Sequence, residues 1–176
     1  PNLLEVRVSN AHNELVPPIG GDLGHFGGIY RPVWLVRTAP VHFDLTHYGS
    51  SGVYWRTPVV SAEQAHLELS ARIVNHGPAE RDITWSVAVY APSGRPVFED
   101  SRALHVRGGG HCSSVLLQTT LSSPRLWSPD EPAVYRVEHT LADSRSGEEL
   151  DRQDSPLGFR WCTADADRGF FLNDER

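Results

Sequence analysis

His42 and Asp44 stand two residues apart, with His47 close behind. On an extended strand that spacing puts the imidazole and the carboxylate on one face, the beginnings of a metal site. Spacing alone supplies neither the coordination geometry nor the groups that orient ligands, so a solvated polar face is the expectation here. Asp165 and Asp167 are the second candidate, a carboxylate pair. In the setting Thr163-Ala164-Asp165-Ala166-Asp167-Arg168-Gly169 they are expected to shape a turn through side-chain to backbone hydrogen bonds. Nine histidines are scattered along the chain, and no Gly-x-Ser-x-Gly elbow or Ser/His/Asp arrangement accompanies them. Gly108-Gly109-Gly110 would cradle a phosphate only ahead of a helix, and 113–121 alternates like a strand instead. Cys112 and Cys162 lie in no metal-ligand spacing. A disulfide between them is open on sequence; two inert thiols are the expectation. The residues alone therefore offer no catalytic set and no metal site.

The chain has 176 residues, of which 39% are hydrophobic. That length suffices to bury roughly 70% of the surface exposed on unfolding, in one domain or one domain plus a fragment. A formal charge of −6 gives no basic stripe for phosphates, which excludes nucleic acid and anionic membrane as expected partners. No apolar run approaches the ~18 residues of a membrane-crossing helix. Thin cysteine usage is what a reducing compartment such as the cytoplasm leads one to expect. The chain contains no Met and opens at Pro1 directly before the strand-like Leu3-Leu4-Glu5-Val6-Arg7-Val8, so it is expected to be a piece of a longer protein.

Alternation supplies the elements that must position any site. Leu4, Val6 and Val8 predict a half-buried strand, and residues 26–36 a second one entered through Gly27-Gly28, with Pro32 implying an edge or a bulge. Further strands are predicted at 41–48, 64–75, 82–91, 96–106, 113–121, 133–142 and 156–161. Seven strands punctuated by Asn75-His76-Gly77-Pro78, Pro92-Ser93-Gly94 and Arg145-Ser146-Gly147 indicate an all-β fold, an immunoglobulin-like β-sandwich. Leu67, Leu69, Ala71 and Ile73 would face inward, opposed by Ile83, Trp85, Val87 and Val89. The cysteines fall on the wrong strands for an antibody-type disulfide. Trp34, Tyr54 and Trp55 are candidates for an exposed aromatic row, although Trp34 sits in an apolar stretch and is expected to be buried.

The most informative stretch is 123–135, where Pro124, Pro129 and Pro132 force a turn or extended loop. Trp127 is expected to plug the end of the sandwich core and to be substantially buried. Tyr135, opening the next strand, is expected to tie strand to corner through its hydroxyl. Residues 169–176 end the chain on an apolar cluster that should meet a neighbouring domain.

Four motifs occur in one order: Phe26-Gly27-Gly28-Ile29-Tyr30-Arg31-Pro32-Val33-Trp34-Leu35; Leu126-Trp127-Ser128-Pro129-Asp130 with Pro132 and Tyr135; Gly158-Phe159-Arg160; and Asp167-Arg168-Gly169-Phe170-Phe171-Leu172-Asn173. In this order and spacing they resemble glycoside hydrolase family 2, over almost the whole chain. The resemblance implies that 1–39 closes a jelly-roll sugar-binding domain, 40–163 is the central immunoglobulin-like sandwich, and 164–176 leads into a TIM barrel absent here. It makes Arg31, Trp127, Tyr135 and Arg160 structural motif residues. It also implies a parent that hydrolyses a β-glycoside with retention, using two carboxylates from the barrel. The Gly27-to-Arg31 form looks more like the β-galactosidases, so a β-galactoside is the implied substrate. By the same resemblance Asp22 reaches toward the sugar and a bound sodium ion, with magnesium the other ion implied for the parent. The competing expectation is a stand-alone sandwich that binds carbohydrate or protein.

Overall fold

The computed structural model describes residues 3–11, 13–15 and 27–176. The chain divides into two compact units, Pro1–Arg37 and Thr38–Arg176. In the first, the described residues form no strand, contrary to the strands predicted at Leu4 to Val8 and at 26–36. A strand exists only against a hydrogen-bonded partner, and alternation does not provide one. Leu4, Val6 and Trp34 accordingly stand 75%, 54% and 81% exposed, so Trp34 is not the buried residue its apolar surroundings predict. Arg31 is exposed, with its guanidinium 5.4 Å from the ring of Tyr30. Asp22 lies outside the described residues.

The second unit is all-β. Its strands are β1 Val41–Phe43, β2 Val53–Val60, β3 Gln64–Asn75, β4 Arg81–Tyr90, β5 Pro96–Val106, β6 His111–Ser122, β7 Tyr135–Asp143, β8 Glu149–Leu157, β9 Cys162–Asp165 and β10 Gly169–Leu172. β6 runs along the whole of one edge of β3. β1 and β2 share the other edge, β1 opposite 73–75 and β2 opposite 65–71. The first sheet is therefore three strands wide. The second has the order β5-β4-β7-β8, and every ladder is antiparallel. Seven strand positions in two sheets are the predicted sandwich. Its fourth position, β5, pairs with β4 in the second sheet, whereas a constant-type immunoglobulin domain puts that strand in the first.

The inward faces are the predicted ones. Leu67, Leu69, Ala71 and Ile73 on β3 and Ile83, Trp85, Val87 and Val89 on β4 are all buried, while their alternate neighbours are partly or wholly wet. Apolar alternation thus fixes which face each strand turns inward, because a one-residue slip would reverse it. Two contacts cross the sandwich or lie within it. The Phe43 N–H, which has no ladder partner at the edge, donates to Asp151 Oδ2 on β8 at 2.8 Å. Trp85 Nε1–H donates to His139 Nδ1 at 3.3 Å, with the two rings stacked.

Two predicted strands are displaced and one strand arises where none is predicted. The one at 41–48 stops at Phe43, because Asp44 turns the chain by accepting the backbone N–H of Thr46 at 3.1 Å and its hydroxyl at 2.6 Å. Tyr48 and Gly49 then take left-handed backbone conformations. β2 lies where no strand is predicted; its Pro58 sits at the bulge where the register shifts between Arg56 and Val59. The last strand lies at 149–157 rather than 156–161. Gly52 shows how tightly the first sheet closes: at φ 74°, an added Cβ would stand 2.6 Å from the Asp44 backbone nitrogen.

Candidate functional site

The residues that carry the sequence motifs meet at one end of the sandwich. Tyr135 opens β7 with 5% exposure, and its hydroxyl accepts the Arg125 N–H at 2.9 Å. This is the strand-to-corner tie expected of it. The ring of Tyr135 meets Phe159 edge-on at 4.9 Å. Phe159, fully buried, forms a parallel bridge with Leu126, and its carbonyl accepts the Trp127 N–H at 2.8 Å.

That bridge decides which residue plugs the core. Successive residues of extended chain point to opposite sides, so with Leu126 packed on the core its neighbour Trp127 faces outward. Trp127 is largely covered, as expected, but Leu126 rather than Trp127 is the residue packed on the core. Its indole lies against Gly158, where an added Cβ would come within 3.2 Å of the Trp127 Cβ. The Arg160 guanidinium covers the ring at 4.5 Å, a cation–π contact on a surface aromatic. The segment closes the sandwich end as expected, with Leu126 as its inward residue.

The chain then enters the β9–β10 hairpin. Asp165 turns it: Oδ1 accepts the N–H groups of Asp167 and Arg168 at 3.0 and 2.9 Å, and Oδ2 takes Arg168 Nε and Nη2. The turn role predicted for Asp165 is therefore the observed one, whereas Asp167 enters the turn through its backbone N–H; the Arg168 hydrogen bond is the main reason the Asp165 carboxyl titrates below its ordinary value. After β10, Asn173 and Asp174 both adopt positive φ, as the two central residues of a type I′ turn do, and Leu172 pairs with Glu175 across them. Asn173 also ties the hairpin back to the sandwich. Its side chain accepts the Trp161 N–H at 3.2 Å and donates to the Trp127 carbonyl at 3.1 Å, while its own N–H donates to the Trp161 carbonyl. Trp161 Nε1–H adds a bond to Asp174. Asn173 closes the last of the four sequence motifs, yet nothing in its spacing reveals this role. Phe170 remains 61% exposed and Phe171 and Leu172 partly so.

The other candidates are not assembled into chemistry. His42 and Asp44 are 8% and 7% exposed, so the solvated face expected of them is replaced by a buried structural pair. His42 Nδ1 meets the Ala39 carbonyl at 2.8 Å and its ring stacks on His76. Asp44 is held by Thr46 and by Arg72 Nε at 3.4 Å; the Thr46 hydroxyl chiefly lowers its pKa against the opposing effect of burial. His47 bonds the Tyr54 hydroxyl instead. Among the described residues no group of three or more His, Cys, Asp or Glu is arranged to hold a metal. Cys112 and Cys162 are free and exposed, and burial of its surroundings raises the Cys112 thiol pKa. Gly108 to Gly110 form a turn against Asn75 and Gly77. Tyr54 and Trp55 are consecutive on β2 and so face opposite ways, which breaks up the supposed aromatic row.

A family model described as Glycosyl hydrolases family 2 matches residues 51–160, most of the sandwich and the greater part of the chain. The chain belongs to that family. The β-galactosidase BoGH2A of Bacteroides ovatus is 33% identical over 98% of this family 2 chain. A β-glucuronidase of Bacteroides fragilis is 32% identical, again over 98%. Among solved structures, β-glucuronidase 2 of Bacteroides uniformis, covalently bound to cyclophellitol-6-carboxylate aziridine, superposes on 96% of the chain with a TM-score of 0.92 and 36% identity. The chain spans 19%, 24% and 20% of these three proteins. It corresponds to a small part of each, and their names divide between two sugars.

Proposed function

We propose that this chain is the non-catalytic central sandwich, with flanking segments, of a longer family 2 β-glycosidase. Residues 1–39 close a jelly-roll sugar-binding domain, 40–163 form the spacer, and 164–176 lead into the catalytic TIM barrel. The observation that carries this reading is the Asn173 junction: the sandwich end grips the outgoing hairpin through Trp127, Trp161 and Asn173. A spacer needs such a grip to hold one domain at a fixed angle to the next. Hydrolysis with retention would proceed on two barrel carboxylates about 5 Å apart, one protonating the leaving oxygen and one attacking the anomeric carbon. The sodium or magnesium ion implied by the resemblance belongs to the parent's sugar site, with Asp22 as this chain's contribution to it.

A β-galactoside is the proposed substrate, on the form of Gly27-Gly28-Ile29-Tyr30-Arg31. The 36% identity to a named β-glucuronidase supports the competing substrate, a β-glucuronide. Steady-state assays with 4-nitrophenyl β-galactoside and 4-nitrophenyl β-glucuronide test both points. The isolated chain should turn over neither, and the longer enzyme should cleave the galactoside with the higher kcat/KM. Turnover by the isolated chain would refute the spacer role; a preference for the glucuronide would refute the substrate.

A further inference from the structure

A cleft of about 460 Å³ lies beside the junction, between β2 and the Trp127 loop. Trp55, Trp127, Val134 and Pro156 give it apolar walls, Thr57 lies on its β2 side, and Arg160 supplies its one formal charge. β2 is an edge strand, so nothing among the described residues pairs with its outer side. Several arginines, Arg95, Arg107 and Arg145 among them, have no carboxylate partner among the described residues, and Arg160 is the one of these that lines this cleft. Arg56, Arg72, Arg81, Arg102, Arg136, Arg152 and Arg168 all have carboxylate partners. Arg160 has none among the described residues and rests only on the Trp127 ring. Tryptophan and arginine gathered in one recess are the composition of an interface hot spot. A guanidinium held over an indole is limited in advance to fewer orientations toward a carboxylate.

Resting on the spacer reading above, we propose that this cleft is the docking point for a neighbouring domain of the longer enzyme. The occupant is an acidic loop: its Asp or Glu pairs with Arg160, and an adjoining apolar side chain fills the space between Trp55 and Trp127. Charge complementarity selects an acidic partner. The neighbour itself is supplied by family relatives four to five times the length of this chain, of which it spans 19% and 24%. The cleft also shares Trp127, Gly158 and Arg160 with the segment leading to the outgoing hairpin, so a loop seated there would lock both sides of the exit.

The test is site-specific photocrosslinking in the longer enzyme, with p-benzoylphenylalanine in place of Thr57 and the product mapped by peptide mass spectrometry. The expected product joins position 57 to an Asp- or Glu-containing peptide outside residues 1–176. Arg160→Glu should cut its yield roughly ten-fold, while Arg160→Lys, which keeps the charge but not the planar fork, should cut it by less. Arg160 is exposed, so neither variant disturbs the core, and unchanged tryptophan fluorescence of the isolated variants verifies that. No crosslink, or a crosslink indifferent to Arg160→Glu, would overturn the proposal. So would a shift in the isolated chain's tryptophan fluorescence on titration with glucuronate that is lost in Arg160→Gln, since the cleft would then be a sugar-acid site. These outcomes are independent of turnover by the isolated chain, which is what would overturn the spacer reading.

Discussion

Between pH 7 and pH 4 the chain is expected to lose about 3 kcal/mol of stability to a single side chain, His139. The ring is fully buried between Trp85 and Phe43. Because Trp85 Nε1–H donates to Nδ1, the ring's own proton sits on Nε2, which has no partner. Charging such a ring would bury a cation with nothing to pair it, and burial therefore lowers its pKa from 6.5 to about 4. The sign comes from proton counting. Above pH 6.5 both folded and unfolded states hold a neutral ring, and the stability is fully present. Below 6.5 the unfolded chain takes up a proton that the folded chain refuses, so stability falls until the folded ring protonates near pH 4. A loss of about 3 kcal/mol corresponds to a drop in Tm of roughly 10 °C for a domain of this size.

Asp44 and His105 act outside that window, whereas Glu63, held low by its hydrogen bond to Ser61, acts at its acid edge as pH falls below 4.5. Asp44, held below its ordinary value by Thr46, destabilises on protonation only as pH falls below 3.8. His105, raised by hydrogen bonds to Asp82 and Glu80, has the opposite sign and acts above 6.5. Urea melts at several pH values are the measurement. The unchanged chain should show the fall between pH 6.5 and 4, and His139→Phe should flatten it. An equal slope in both proteins would show that His139 is not the cause.

Phe159→Ala is expected to cost about 4 kcal/mol, the upper range for an aromatic removed from a core. The residue has no exposure, and its ring is the partner of Tyr135. It both closes the sandwich end and anchors the Trp127 loop, through the Leu126 bridge and the bond from the Trp127 N–H. The expected result is a loss in the urea midpoint together with a red shift of tryptophan emission as Trp127 becomes wet. A destabilised chain whose Trp127 environment is unchanged would show that the loop is held by something other than Phe159.

The sandwich was legible because burial imposes period 2 on every central strand, and β4, β7 and β3 as far as Ile73 obey it. Legibility failed where other forces decide. β1 ends on a side-chain turn at Asp44, β2 crosses a proline bulge, and the described residues of the first unit form no strand. At the site, Tyr135 could be placed because a tyrosine opening that strand has one common use. Leu126 could not, since bulk alone does not say which of two adjacent apolar residues faces inward. Asn173 was invisible for another reason: its hydrogen bonds join residues 46 and 12 positions away, and no local pattern encodes them.

The spacer account stands on a sandwich end that holds the outgoing hairpin rigidly. Native-state amide hydrogen exchange of Trp127, Trp161 and Asn173 in this chain measures that most directly. Their bonds to Phe159, the Asn173 side chain and Trp161 predict exchange slowed at least ~100-fold relative to an unstructured peptide, and slowed further in step with the core strands when conditions favour folding. Exchange of these three amides at the unstructured rate, with β4 and β7 still protected, would mean that the hairpin swings freely and that the sandwich does not orient the domain beyond it.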